Sequence, residues 1–365
     1  MRKLFFRYVW GIMIVGVALL IASCNGITEP TPEPTPEPVG PVIGKGLFVA
    51  NEGNYMISNA SLSFYDTEVD TVMNNLFYHA NEKPLGDVAQ SLALSDGKLF
   101  IVVNNSKYIY KVNAVTQKYE AQMTGFYSPR NMMFLAPDKA YVSDLVGTDM
   151  WIVNPVTMTH TGTIAMGKTT ENMVRVGDEV YVTNWSNYYQ PETENNTVQV
   201  IDIRKDSLIA EVEVGKEPNS IVVDKNNNIW VLSSGGYINP VAPKLCCIDP
   251  VTKQVVESFT FTATYPDCYP SNLKINASGE RLYFVDSGIY SMLITDTKLP
   301  DHPLIEKSEG SVYYNVAVDP KDGDLYVTDA KSYVVDGELL RYSSDGALRH
   351  SETVGIIPGF MLFNY

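Results

Sequence analysis

Apolar and polar residues alternate along this chain in short runs, separated by turns rich in Asp, Asn, Gly, Lys and Pro. One phrase occurs seven times after such a turn: an apolar residue, an aromatic, then a β-branched or aromatic residue. It stands at Leu47-Phe48-Val49, Leu99-Phe100-Ile101, Ala140-Tyr141-Val142, Val180-Tyr181-Val182, Ile229-Trp230-Val231, Leu282-Tyr283-Phe284 and Leu325-Tyr326-Val327. The aromatics lie 52, 41, 40, 49, 53 and 43 residues apart. Period-2 alternation predicts strands, and a repeat of this length built from short strands predicts a β-propeller. One such unit cannot bury both faces of its sheet, whereas seven in a ring can. The repeated aromatics are therefore expected to pack between blades.

A second phrase precedes each aromatic strand. Its polar residue aligns as Gln90, Asn131, Asn172, Ser220, Asn272, Asn315 and, as the odd member, Gly359; Pro129, Pro218 and Pro270 stand two positions earlier. An alternating apolar stretch follows, as in Met132-Met133-Phe134 and Ile221-Val222-Val223, and predicts the innermost strand of each blade. Hairpin-type turns such as Ser95-Asp96-Gly97-Lys98 and Lys321-Asp322-Gly323 lead into the aromatic strand. Third strands are expected at residues 151–153, 198–202 and 245–249, and fourth strands at 209–214 and 255–261.

The fold class is thus all-β, a seven-bladed β-propeller. The first unit begins at its aromatic strand, residues 46–50, with no inner strand before it. The C-terminus holds a spare inner-strand phrase at residues 358–363. Pairing of that C-terminal strand with the N-terminal strand would close the ring and leave no exposed edge. The repeated polar residues are expected to bond turn backbone near the channel mouth.

The N-terminus changes the picture of where this body works. Arg2, Lys3 and Arg7 precede an apolar run over residues 8–20, and Ile21-Ala22-Ser23-Cys24 matches a lipobox. This predicts a lipoprotein signal over residues 1–23, cleavage before Cys24 and diacylation of its sulfur. The Glu-Pro-Thr-Pro repeats that follow force extended polyproline II. Residues 25–41 would make a semi-rigid tether of roughly 50 Å at about 3.1 Å per residue. The organisation is then signal (1–23), acylated cysteine and tether (24–45) and propeller (46–365). The expected location is the outer membrane, lipid-anchored and facing the exterior.

Loss of the signal's three basic residues from 27 leaves 24 against 42 acidic ones, a net charge near −18. Such acidity excludes nucleic acid, which demands a basic face, and excludes lying flat on anionic lipid. Cys246, Cys247 and Cys268 remain beside the acylated one. The vicinal pair points to opposite faces of its strand, so at most one of them can pair with Cys268, and spacing does not decide whether either does.

In a propeller, second-to-third-strand loops and blade-to-blade loops share one face. Here those loops are long, aromatic and amide-rich, and the other face carries short Asp/Asn/Gly/Lys turns. The candidate ligand residues are Tyr55, Asn104, Asn105, Arg130, Trp185, Tyr188, Tyr189, Tyr237, Tyr269, Tyr313 and Tyr314. The loop through residues 184–197 is the longest departure from the repeat, and Trp185, Tyr188 and Tyr189 are expected to line the site. Tyr and Trp give rigid area with a polar tip, and Asn both donates and accepts. This chemistry suits a large, neutral, amide- or hydroxyl-rich ligand.

Catalytic signals are weak. There is no Gly-x-Ser-x-Gly elbow, phosphate-cradling loop or His metal spacing. Glu52, Asp144, Glu171, Asp286 and Asp329 fall near the channel mouth, where calcium-dependent propeller hydrolases place carboxylates. Acids at loop starts are more often turn caps. We expect a non-enzymatic protein with no catalytic residues, no metal ligands and no permanently bound cofactor.

A resemblance extends this reading. Leu47-Phe48-Val49-Ala50-Asn51-Glu52-Gly53-Asn54, residues 58–66, Leu85-Gly86-Asp87-Val88-Ala89-Gln90-Ser91, Val102-Val103-Asn104-Asn105-Ser106 and Val354-Gly355-Ile356-Ile357-Pro358-Gly359 resemble the surface-layer-type propeller lipoproteins of Bacteroides, within the YncE-like class. That group includes cell-surface lipoproteins that capture cobalamin and pass vitamin B12 to a TonB-dependent outer-membrane transporter. The resemblance implies cobalamin or another corrinoid as ligand and such a transporter as partner. A surface module binding glycan or protein, or a calcium-dependent lactonase, are the alternative readings.

Overall fold

The computed structural model describes residues 43–185 and 195–365. Seven four-stranded antiparallel sheets are present, each with its strands in consecutive order except the first. Blade 1 begins with the C-terminal strand Pro358–Asn364, followed by Gly46–Asn51, Ser61–Asp66 and Thr71–Met73. The inner strands of blades 2 to 7 are Ala89–Ser95, Pro129–Ala136, Met173–Val176, Pro218–Val223, Ser271–Ile275 and Tyr313–Val318. The ring closes as the sequence predicts: Leu47 pairs with Phe363, Phe48 with Leu362 and Ala50 with Phe360. Sequence expectations for the third and fourth strands hold to within two residues, as at Gln254–Thr260 and Ser207–Glu213.

All seven repeated aromatics are buried at 0–3% exposure. Phe48 meets Phe64 edge-on at 4.8 Å, and Tyr65 of blade 1 meets Tyr326 of blade 7 at 5.6 Å across the closing junction. Each apolar cluster spans two neighbouring blades, so no blade has a core of its own. Cys246 packs into the cluster shared by blades 4 and 5, and Cys247 into the one shared by blades 5 and 6. The opposite-facing geometry of the vicinal pair is confirmed, and Cys246, Cys247 and Cys268 are all buried free thiols.

One element has no counterpart in the sequence pattern. A short helix, Leu76–Asn81, joins the outer strand of blade 1 to the inner strand of blade 2, burying Leu76, Phe77 and Ala80. Beneath it lies an open cavity of about 430 Å³ lined by Ser58, Phe77, His79 and Leu85 among others. No helix among the described residues is long and apolar enough to cross a membrane.

Truncation after Ile357 removes the inner strand of blade 1 and opens the ring. The truncated chain is expected to lose its single sharp transition in differential scanning calorimetry; an unchanged melt would show that closure does not run through this strand.

Candidate functional site

The site is built by a repeated irregularity. Where each inner strand enters from the loop-rich face, its ladder slips by one residue. The slips fall between Ala89 and Ser91, Pro218 and Ser220, and Tyr313 and Asn315, and Ala50 and Asn51 straddle Gly359 in blade 1. A bulge of this kind turns one side chain out of the pleat. The residues in this position are Gln90, Arg130, Glu171, Asn219, Tyr314 and Gly359, one per blade around the axis. In blade 6 the irregularity takes a different form, with Asn272 at φ 55°.

The residue after the bulge fastens it. Ser91 Oγ donates to the Arg130 carbonyl at 2.5 Å, Asn131 Nδ2 to Glu171 O at 3.2 Å and Asn172 Nδ2 to Asn219 O at 2.6 Å. Asn272 Nδ2 donates to Tyr314 O at 2.8 Å and Asn315 Nδ2 to Gly359 O at 2.5 Å. Each donor reaches across to the next blade, and each acceptor is the bulge residue there. The junction of blades 5 and 6 is held by Asn219 itself, which donates to Pro270 O at 2.9 Å. This is the structural role expected for the repeated amides, with one correction. Gln90 does not belong to the fastening register; Ser91 does. Gln90 is a bulge residue and accepts a hydrogen bond from Arg130 Nη1.

Arg130 is the centre of the mouth. Its Nε bonds both oxygens of Glu171, at 3.1 and 2.8 Å, with the two side chains only 12% and 7% exposed. The Trp185 ring lies over its guanidinium at 5.6 Å. Opposite stands Glu52, whose two oxygens each accept from the Tyr314 hydroxyl at 3.3 Å. Glu52 occupies the space a side chain at position 359 would fill: a Cβ on Gly359 would lie 2.2 Å from Glu52 Oε1. Blade 1 thus presents Glu52 where the other blades present a bulge side chain. Tyr333 packs edge-on to Tyr314 at 6.0 Å and extends the site to the rim.

The electrostatics follow from enclosure. Burial lifts the Glu52 carboxyl to about 7, and nearby Glu171 adds to the rise; Arg130 and the Tyr314 hydroxyl oppose it. Burial by itself would lower the Arg130 guanidinium, but Glu171, and then Glu52, hold it above its usual range. The Glu52 charge, followed by burial, drives the Tyr314 phenol well up. The mouth therefore holds one permanent ion pair and one carboxyl that changes protonation near neutrality, the kind of perturbed group that marks functional clefts.

Of the sequence candidates, Arg130, Trp185 and Tyr314 come together here. Tyr188 and Tyr189 lie outside the described residues, as does Cys24. Tyr237 and Tyr269 form a separate aromatic group on the same face, both edge-on to Tyr265 at 6.4 and 5.7 Å. Tyr55 is 63% exposed on the blade 1 loop. The remaining candidates serve the scaffold instead. Asn104 is buried and donates to Ser128 Oγ at 2.8 Å and Pro129 O at 3.0 Å, pinning the loop into blade 3. Asn105 bonds Asp87 at 2.5 Å. Tyr313 points between blades 6 and 7, its hydroxyl 2.9 Å from that of Tyr342.

The acids proposed for the hydrolase alternative divide the same way. Asp144 accepts from the backbone of Tyr127, Ser128, Val146 and Gly147 and from the Trp151 indole. Asp286 accepts from Tyr269 N and Asp329 from Val312 N. These three are turn caps, whereas Glu52 and Glu171 face the mouth. The clue missed in the sequence is the glycine at 359: a blade with no bulge side chain leaves room for the neighbouring Glu52.

The chain belongs to the family described as "Domain of unknown function (DUF5074)", whose model matches residues 45–346. No curated protein matches the sequence. Solved structures share the fold. A quinonprotein alcohol dehydrogenase-like protein from Bacteroides thetaiotaomicron is 19% identical, covering 88% of this chain and 78% of its own, with a TM-score of 0.66. Hydrazine synthase of Kuenenia stuttgartiensis is 14% identical over 74% of this chain and 88% of its own, with a TM-score of 0.56. AztD of Citrobacter koseri is 11% identical over 86% and 82%, with a TM-score of 0.52. At these identities the likeness is one of fold, the β-propeller.

Because the folded state raises the Glu52 pKa from 4.5 to about 7, it binds the proton more tightly than the unfolded chain. Stability is therefore lost as pH rises across that window and is flat above it. Relative to Glu52→Gln, the wild type should lose up to about 3 kcal/mol between these pH values. Urea denaturation of both proteins across that range checks this; parallel profiles would show that Glu52 does not titrate there.

Proposed function

We propose that this protein is a lipid-anchored binding propeller of the cell surface, which captures cobalamin or another corrinoid over the channel mouth and passes it to a TonB-dependent outer-membrane transporter. One observation carries the reading: the bulges of successive blades gather amide, guanidinium, carboxyl and phenol groups into a single mouth, with Trp185 and Tyr333 beside them. A corrinoid is a large disc whose rim carries amide arms. Each arm needs one donor and one acceptor, and Gln90, Glu52 and Tyr314 supply both kinds within one opening. The flat apolar faces of the disc call for aromatic cover, and the same side of the ring exposes Tyr127, Tyr237, Tyr265 and Tyr333.

A rigid closed ring suits capture. Its inner strands are already ordered, so binding orders few groups. The sequence resemblance supplies the ligand and the transporter, and the anchor predicted at Cys24 supplies the location. The groups that the described residues bring to the mouth are hydrogen-bonding and aromatic ones, which supports a reading of capture.

Calorimetric titration with cyanocobalamin and cobinamide tests the proposal. Saturable binding is expected, and Trp185→Ala should weaken it by more than about 2 kcal/mol, the scale of a binding hot spot. The melting temperature should barely move, because Trp185 lies outside the interblade clusters. No heat and no thermal shift at saturating corrinoid would overturn the ligand assignment, and a glycan array would then test the adhesion alternative.

A further inference from the structure

Below the mouth, each inner strand places one residue opposite the repeated aromatic of its blade. In six blades that residue is apolar: Leu362, Ala93, Met133, Val174, Val222 and Ala317. In blade 6 it is Lys274, opposite Tyr283. The position is otherwise part of the apolar packing between blades, with Ala93 and Ala317 buried in their clusters. A lysine here breaks the pattern of the other six blades.

Lys274 also lacks what enclosed lysines have elsewhere in this molecule. Lys139 reaches Asp206, Lys253 reaches Glu179, and Lys83 lies 3.5 Å from the centre of the Tyr119 ring. Among the described residues, no carboxylate, carbonyl or ring receives the Lys274 ammonium, and no other residue's charge acts on it. It stands on the innermost strand of its blade, enclosed by the ring yet with part of its surface exposed. Enclosure alone lowers its pKa to about 8, so the amine remains protonated at neutral pH.

An enclosed charge without a partner destabilises a fold. Methionine or leucine would fit this position, as the other blades show. Residues that cost stability in this way are characteristic of binding sites. The ammonium has three donors and no acceptor, so its missing partner is an anion, and its apolar surroundings strengthen the attraction.

We propose that Lys274 is the anion receptor of the central channel, taking an oxyanion group, carboxylate or phosphate, that enters along the axis. A single compact charge, unlike an arginine fork, does not impose planar geometry on its partner, so both kinds of oxyanion fit. The proposal does not depend on the corrinoid reading, since it concerns a different depth of the channel and a different group.

The test uses the whole mature propeller at low ionic strength and neutral pH. Inorganic phosphate is titrated into the wild type, Lys274→Met and Lys274→Arg, with melting temperatures measured in anion-free buffer. The wild type is expected to saturate, Lys274→Arg to retain binding, and Lys274→Met to bind at least about ten-fold more weakly. Lys274→Met should also melt at or above the wild type, because an enclosed charge without a partner has been replaced by a fitting apolar side chain. Competition by acetate would show that charge is read, and its absence would narrow the partner to phosphate. Failure of the wild type to saturate, equal binding by Lys274→Met, or a fall in its melting temperature would overturn the proposal.

Discussion

The hydrogen bond that five of the seven inner strands send to the bulge carbonyl of the next blade is the interaction on which the functional face depends. A bulge frees one carbonyl from its own ladder, and a freed carbonyl near the core must find another donor. Here the neighbouring blade supplies it through Ser91, Asn131, Asn172, Asn272 or Asn315. Each bond contributes about 1 kcal/mol net, while an unmet buried group costs about 1–3 kcal/mol. The asymmetry makes bulge and fastener a matched pair. Together they hold the backbone so that Gln90, Arg130, Glu171 and Tyr314 converge.

A second set of side chains does comparable work one step outward. Asn104, Asp144, Asn184, Asp286 and Asp329 stand at or just beyond the ends of second strands and bond the loop that enters an inner strand. Their recurrence makes them look like a ring of ligands in the sequence. In the fold their oxygens and amides are directed to backbone groups, as short polar side chains at loop junctions commonly are. The residues left to face the axis are those that interrupt the repeat.

Those interruptions give the channel its chemical profile. At the mouth, Arg130 and Glu171 neutralise one another and Glu52 is poised between charged and neutral. Deeper, the position opposite the repeated aromatic is apolar in six blades and holds Lys274 in blade 6. An acidic chain thus carries, on the inner strand of blade 6, a lysine with no charged partner among the described residues. The interblade clusters account for stability through repetition, and the departures from repetition are where chemistry is concentrated.

Much of the architecture was legible in the chain. The spacing of seven aromatics predicts the blades, and the missing first strand with its spare C-terminal copy predicts the closure, because both depend on local alternation and count. The face carrying the loops is legible for the same reason. The sequence did not separate Tyr313 from Tyr314, or Gln90 from Ser91: a one-residue bulge decides which neighbour faces the axis, and alternation alone does not locate a bulge. Nor did it reveal that Glu52 fills the space above Gly359, since these residues lie at opposite ends of the chain and meet only when the ring closes. The propeller follows from periodic local burial; the site follows from the register of strands that only tertiary closure brings together.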